Sequence, residues 1–238
     1  MNTNQLKRKP LNYLVLLVFA AISIGSCFKD NSQMVTKTYE LETINGIALS
    51  LPATVEIIEG DVQKVEISGR EVTIEQINKQ IKRGLWNIEL PNSFRKNVDG
   101  LYIKITSNDI EKLILSGSGK IKAEHSLPLS SVTISGSGSV EAKTEASELE
   151  SKISGSGRFT VAGKTTELSH QTSGSGQFNG FNLETKDAVI EISGSARTEL
   201  TVTNNLDVKI SGSGNVYYKG KPTIASKVSG SGKVIESN

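Results

Sequence analysis

The tetrapeptide Ser-Gly-Ser-Gly recurs through the second half of this 238-residue chain at a nearly constant spacing. A flexible linker has no reason to keep a period, whereas a solenoid must, because each coil places its strand above the strand of the preceding coil. The spacing therefore predicts an all-β parallel solenoid with coils of about 19 residues, stacked ~4.8 Å apart. Successive copies start 18 to 20 residues apart, at Ser116, Ser135, Ser154, Ser173, Ser193, Ser211 and Ser229.

Polar and apolar residues alternate on both sides of the motif, with the period of a β-strand. The residue before the motif is Leu, Ile or Val in every copy except one, where it is Thr172. Two positions after the motif the residue is again apolar, except at Thr198, and it includes Phe159 and Phe178 on adjacent coils, which predict an internal aromatic stack. Each repeat is therefore predicted to form a strand, a bend, a second strand and a variable return segment.

The second position of the motif is Gly in all copies, whereas the fourth position is Ala196 in one of them. Glycine adopts positive φ and lets backbones approach closely, so the second position is predicted to have the stricter steric requirement. The Ser hydroxyls are expected to bond their counterparts in adjacent coils. The predicted structural turns are therefore at Gly117, Gly136, Gly155, Gly174, Gly194, Gly212 and Gly230.

The N-terminal segment predicts export and lipid attachment. Three basic residues precede an apolar run over residues 11–24, and Ile24-Gly25-Ser26-Cys27 resembles a bacterial lipobox. We therefore interpret residues 1–26 as a lipoprotein signal peptide, Cys27 as the lipidated residue, and residues 27–37 as a tether. The expected location is the outer membrane, on its periplasmic or outer face. A transmembrane anchor is the alternative, but the run is short for a bilayer span.

The charge balance gives no general case for nucleic-acid binding. The chain has 27 Lys and Arg and 25 Asp and Glu, and three of the basic residues lie in the predicted signal peptide. The remaining chain has 24 basic and 25 acidic residues and is close to neutral.

Residues 38–112 lack the motif but keep strand alternation, and they are predicted to form an irregular β cap on the repeats of residues 113–238. Val65-Glu66-Ile67-Ser68-Gly69 repeats the approach to the later motif and is interpreted as a degenerate early rung. Residues 73–83 place Ile74, Ile77 and Ile81 at helical spacing, and they fit either a helix or a hairpin arm.

Five segments of the chain, taken together and in their order along the sequence, resemble the bacterial GIN domain, a family described as the head of autotransporter adhesins. The resemblance covers about residues 38–238 and implies a right-handed β-helix-like fold on lipoproteins or secreted proteins. It carries no catalytic residues. The segments are Ile44-Asn45-Gly46-Ile47, Val55-Glu56-Ile57, Arg83-Gly84-Leu85-Trp86-Asn87-Ile88, residues 101–105, and Leu113-Ile114-Leu115 before the first motif.

The motifs of common catalytic sites do not occur in the sequence. No Gly-x-Gly is part of a dinucleotide-binding motif or a phosphate-binding loop, and no Ser lies in a nucleophile elbow. The chain has one Cys and two His, of which His170 falls in an inward column and is predicted to be packed and hydrogen-bonded. We therefore expect no metal site, no cofactor and no enzymatic activity.

The polar column that follows the motif is the candidate ligand-binding face. It contains basic residues on alternate coils and no acidic residue, and it could follow the charges of an extended acidic glycan. The column consists of Lys120, Ser139, Arg158, Gln177, Arg197, Asn215 and Lys233.

Three function classes follow from these observations: a non-catalytic lipid-anchored adhesin or ligand-binding protein, a polysaccharide-active β-helix enzyme, and an assembly module that docks to another envelope protein. The scattered acidic residues argue against the enzyme, because glycosidases need paired carboxylates. Self-association through the C-terminal strand edge is a further expectation, since an uncovered edge favours pairing.

Overall fold

The structure is a computed structural model that describes residues 33–94, 98 and 100–237. The first part of this region contains a short helix, α1 (Glu71–Gln76), a 3-10 turn at Asn92–Phe94, and seven strands. These strands are β1 (Met34–Tyr39), β2 (Gly46–Leu49), β3 (Thr54–Ile58), β4 (Lys64–Arg70), β5 (Ile81–Lys82), β6 (Leu85–Ile88) and β7 (Tyr102–Thr106). The predicted signal peptide and Cys27 lie outside the described residues.

The second part is almost continuous strand, interrupted at each motif by a bend of two residues. No helix in the described part of the chain is both long and apolar enough to cross a membrane. The strands are β8 (Lys112–Gly117), β9 (Lys120–Leu127), β10 (Ser131–Gly136), β11 (Ser139–Gly155), β12 (Arg158–Gly174), β13 (Gln177–Gly194), β14 (Arg197–Gly212), β15 (Asn215–Lys219), β16 (Thr223–Gly230) and β17 (Lys233–Glu236).

The motif repeats stack as a parallel β-solenoid, and each motif lies directly above the preceding one. Ser135 pairs with Ser116 on one side and with Ser154 on the other, and the same register continues to Ser229. The predicted coil of about 19 residues is therefore confirmed. This regular register follows from the alternation, because a shift by one residue would expose every inward side chain.

The motif glycines at the second position all have positive φ, between 102° and 124°. A Cβ at Gly155 would lie 2.8 Å from the carbonyl oxygen of Gly136 in the coil below. Backbone bonds hold the bend, since the amide of Ser156 donates to the same oxygen at 2.9 Å and all four later copies of the motif repeat this bond. No hydrogen bond of the motif Ser hydroxyls occurs in the described region, so the backbone makes the ladder that was expected from the hydroxyls.

Two further coils without the motif precede the repeats, and their order in space differs from their order in the chain. Strands β2 and β3 pair in parallel with β8 and β9 on one side, and with β6 and β7 on the other. The coil formed by β6 and β7 therefore lies below the coil that precedes it in the sequence. Residues 38–112 are thus less irregular than expected, because they contribute two coils as well as the predicted cap.

Antiparallel strands close this end of the solenoid. Strand β4 pairs with β7, and β1 pairs with β4. The interpretation of residues 65–69 as an early rung is wrong, because β4 runs antiparallel to the stack and belongs to the cap. Residues 34–37, which were assigned to the tether, are part of β1, so any tether ends before Met34.

Residues 73–83 combine the end of a helix with the start of a hairpin. The ammonium group of Lys79 donates to the carbonyl oxygens of Ile74 (2.9 Å) and Ile77 (3.1 Å), where α1 ends. Strands β5 and β6 then pair through a two-residue turn with positive φ at Arg83 and Gly84, as in type I′ hairpins. Both alternatives are therefore partly correct.

A single hydrophobic core runs from the cap to β15. Phe159 and Phe178 are fully buried, with ring centroids 5.6 Å apart in an edge-to-face arrangement, which confirms the predicted aromatic stack. His170 is also fully buried; it hydrogen-bonds the hydroxyls of Ser151 (3.1 Å) and Thr172 (2.8 Å), so its predicted packed role is confirmed. The interior of the repeats is thus filled by side chains.

Candidate functional site

The polar column after the motif forms one continuous ladder on the solenoid surface. Ser139 pairs with Lys120 and Arg158, and the ladder continues without a shift through Gln177, Arg197 and Asn215 to Lys233. The four basic residues are exposed, whereas the three neutral ones are partly buried between them. The structure thus brings all seven candidate residues together in the predicted order.

The column extends beyond Lys120 toward the cap, where Thr54 and then Tyr102 continue the ladder. The hydroxyl of Tyr102 donates to the carboxylate of Glu56. Burial raises the pKa of Tyr102 to about 12, and the hydrogen bond to Glu56 contributes to this shift. Tyr102 is therefore protonated at neutral pH, and its hydroxyl is committed to Glu56.

Arg197 differs from the other basic residues of the column. Its guanidinium contacts the Glu199 carboxylate at 2.6 Å, and this hydrogen bonding raises the pKa of Arg197. The same guanidinium lies 3.9 Å from the ring centroid of Tyr217, a cation–π contact that covers one face of that ring. In the described region Lys120, Arg158 and Lys233 have no ion pair, although Arg158 Nε donates to Gln177 Oε1 at 2.9 Å.

The two long surfaces of the solenoid differ in charge. On the strands that follow the motif, outward-facing basic residues outnumber acidic ones, with Lys120, Lys122, Lys143, Arg158, Lys164, Arg197, Lys219 and Lys233 against Glu124, Glu141, Glu145, Glu184 and Glu199. On the strands that precede the motif the balance is reversed, with Lys112, Lys152, Lys209 and Lys227 against Glu148, Glu150, Glu167, Asp187, Glu191 and Asp207. The candidate column therefore lies on the more basic surface.

An open groove of about 700 Å³ runs along the other surface, beside the first Ser of the last five motifs. It is lined by the Ser column from Ser154 to Ser229 and by the longer side chains two residues before each of these Ser. Among these longer side chains, Glu191 is hydrogen-bonded by Gln171 (3.3 Å) and ion-paired with Lys209 (3.2 Å). Sequence reasoning missed this groove, although the alternation of small Ser with long polar side chains two residues earlier was a visible signal.

His170 and Cys27 are the remaining groups that the sequence singled out. In the part of the chain that the structure describes, no cluster of three or more His, Cys, Asp or Glu residues that could hold a metal ion occurs. Burial lowers the pKa of His170 to about 3, so its ring is neutral and enclosed. Cys27 lies outside the described residues, and its predicted lipidation stays a prediction.

One family model matches most of the chain, and solved structures share its fold. Residues 44–222 match the model of the family described as "Putative auto-transporter adhesin, head GIN domain". A protein described as a putative adhesin from Bacteroides fragilis is 20% identical, with a TM-score of 0.78, covering 86% of this chain and 97% of that one. No curated protein matches this chain.

Two Parabacteroides proteins have the same architecture. One, from P. merdae, is described as a putative adhesin and is 18% identical, and the other, from P. distasonis, is described as a putative lipid binding protein and is 21% identical. Each gives a TM-score of 0.71 over 87% of this chain and 98% of its own length. At these identities the likeness establishes the fold alone.

Proposed function

Because the chain belongs to the GIN-domain family of adhesin heads, we propose that it is an exported surface or envelope protein that binds a ligand without catalysing a reaction. The observation that carries this proposal is the uninterrupted ladder from Lys120 to Lys233 on the more basic surface of the solenoid. An adhesin needs a long, regular surface more than it needs an enclosed pocket. The family and its structural neighbours are described as adhesins or a lipid-binding protein, and none of those named is described as an enzyme.

The anchor is a separate part of the proposal. Cys27 follows an apolar segment and small residues in the order of a lipobox, so lipidation would hold the protein at the outer membrane. One acyl chain binds membranes only marginally, and stable attachment requires the multiple acylation of bacterial lipoproteins. The described part of the chain begins soon afterwards, with β1 at Met34.

The proposed ligand class is an extended acidic glycan. Lys120 and Arg158 lie two coils apart, which corresponds to roughly 10 Å along the axis. The Ser139 hydroxyl between them can bond a sugar hydroxyl, as can the amides of Gln177 and Asn215 farther along the ladder. Arg197 is expected to contribute least, since Glu199 already neutralises its charge.

The test compares two triple variants of the same charge. Lys120, Arg158 and Lys233 are replaced together by Gln, which removes the basic residues without an ion pair. In the control, Lys152, Lys164 and Lys209 are replaced by Gln, because each pairs with a Glu elsewhere on the solenoid. The first variant should lose salt-sensitive retention on immobilised acidic glycans, and the control should keep it.

The outcomes of this test separate the function classes. Equal retention by the parent and both variants would contradict the role of the column. Cleavage of the glycan would favour the polysaccharide-active enzyme, and no retention at all would favour an assembly module of the envelope. Vesicles of anionic lipid are the second probe, because one structural neighbour is described as lipid binding.

A further inference from the structure

The last strands that the structure describes, β16 and β17, have an unpaired outer edge. In the described residues β16 pairs only with β14, and β17 only with β15. Ile224 and Val228 continue inward columns whose preceding members are Leu206 and Ile210. Exposure rises from 1% at Leu206 to 39% at Ile224, and from 3% at Ile210 to 41% at Val228. The last coil therefore presents backbone donors and acceptors together with apolar side chains.

The opposite end of the solenoid does not offer a matching surface. There the chain reverses into the antiparallel strands β4 and β1, and α1 packs beside them. Val65, Ile67 and Ile74 of this cap are fully buried, whereas Met34 (55%) and Val62 (80%) are exposed. Stacking of one molecule on the cap of the next would bring β16 against β1, where the ion-paired Lys37 lies between Val35 and Tyr39 on the inward face and would meet the apolar columns of β16.

The sequence of β16 is complementary to itself in the antiparallel direction. We propose that two copies of this chain join end to end through β16, related by a twofold axis at Ser226. In this register Ile224 lies opposite Val228 of the second copy, so both exposed apolar columns are continued across the interface. On the outer face Lys227 lies opposite Ala225, which keeps the two positive charges apart.

The neighbouring registers that keep inward residues facing inward are worse. A shift by two residues in one direction places Lys227 of one copy opposite Lys227 of the other, where like charges repel. A shift in the other direction pairs Ile224 with Ser226 and Val228 with Pro222, so neither apolar side chain meets an apolar strand residue. Shifts by a single residue would turn apolar side chains toward polar ones. The register centred on Ser226 is therefore favoured by both packing and charge.

Disulfide trapping in the full chain tests this register. Ser226→Cys places the thiols of the two copies opposite each other, with Cα atoms roughly 4.5–5.5 Å apart, which is within the range that a disulfide bridges. Ala225→Cys places them in a diagonal position, at roughly 7–8 Å, which is too far. On mild oxidation Ser226→Cys should give a covalent dimer in excess of the parent, and Ala225→Cys should not. Equal crosslinking by the two variants, or none by Ser226→Cys, would overturn the proposed register.

The mass of the detergent-solubilised full chain tests the dimer itself. The parent should have the mass of a dimer, and Val228→Lys should weaken association by at least roughly tenfold, because it places a charge in the apolar contact. Val62→Lys is the matched control and should stay dimeric, since Val62 is 80% exposed in the cap region. A monomeric parent at high concentration, or a Val228→Lys variant as dimeric as the parent, would refute the dimer.

Discussion

At the scale of single residues, the motif combines two different reasons for glycine. The second position needs positive φ in every copy, whereas the fourth position is inward-facing and has little room for a side chain. A Cβ at Gly157 would lie 2.5 Å from Cγ2 of Ile134 in the coil below. The single Ala, Ala196, stands above the coil in which Thr172 replaces Ile or Leu. Both positions therefore have steric requirements, and only the first was predicted.

Two glycine substitutions should separate backbone strain from close approach. Gly117 has a φ of 102° with nothing near its Cβ position, whereas Gly155 has a similar φ of 106° but faces the Gly136 oxygen at 2.8 Å. Gly117→Ala should lower the free energy of unfolding by about 1–3 kcal/mol through strain alone. Gly155→Ala should lower it by about 1–3 kcal/mol more, because the stack must open. Equal losses in denaturant unfolding would show that close approach is unimportant.

His170 should make the stability of the protein depend on pH. Burial lowers its pKa to about 3 in the folded protein, against 6.5 in the unfolded chain. Between these values only the unfolded chain binds the proton. The contribution of His170 to the free energy of unfolding is therefore greatest above pH 6.5 and decreases as the pH decreases. The total loss is on the order of a few kcal/mol, and it begins between pH 7 and 5, before most carboxylates titrate.

Substitutions at two contacting positions isolate this effect. His170→Leu should flatten the dependence of unfolding free energy on pH between 7 and 5, even though the variant is less stable overall. Ser151→Ala removes one hydrogen bond of the ring but keeps the titrating group, so it should retain the slope. An unchanged slope in His170→Leu would assign the pH dependence to other groups.

The sequence predicted the role of a residue where its column in the aligned repeats determined whether the side chain faces inward or outward. The columns correctly placed His170, Phe159 and Phe178 inside, because alternation determines the face of each residue. The pairing of Arg197 with Glu199 was missed, although two residues of opposite charge at i and i+2 on a strand share one face. The hydroxyl ladder was expected from composition alone, and composition does not specify which polar group reaches the next coil.

At the scale of elements, the register of the repeats was predictable and that of the first half was not. The motif marks equivalent positions in each coil, so Ser116, Ser135 and Ser154 align without further information. Strands β2 and β6 have no such marker, and β6 pairs below β2 although it follows it in the chain. Alternation in the segment around Ile67 shows a strand but not its direction, which is why the antiparallel β4 was misread as a rung.

The pairing of adjacent coils gives a direct crosslinking prediction. Lys120 and Ser139 are ladder partners, with Cα atoms ~4.8 Å apart, so Lys120→Cys with Ser139→Cys should form a disulfide on mild oxidation. Lys120→Cys with Arg158→Cys spans two coils, roughly 10 Å, and should not. Both pairs are made with Cys27→Ala and followed by thiol titration. Crosslinking of the distant pair alone would contradict the 19-residue coil.

At the scale of the whole molecule, the two ends of the solenoid differ in structure. The cap begins with β1 at Met34, only a few residues after the proposed lipid site at Cys27. The open edge at β16 lies at the other end of the stack. The sequence indicated both features, the lipobox and the uncovered edge. It indicated a cap but not the antiparallel arrangement of the cap, because that depends on the reversal of β4.

An end-to-end dimer of lipid-anchored chains should connect two membranes. Each Met34 lies at the end of its solenoid away from the twofold axis, so the two anchors leave at opposite ends of the dimer. Vesicles of phosphatidylcholine, which offer no net negative charge to the basic column, should therefore cluster when reconstituted with the lipidated chain, as measured by light scattering. Val228→Lys should still sediment with vesicles but fail to cluster them, and Cys27→Ala should do neither, since it lacks the acyl chains. Clustering by Val228→Lys would show that another surface joins the membranes, whereas vesicle binding by Cys27→Ala would refute the anchor and leave the dimer untouched.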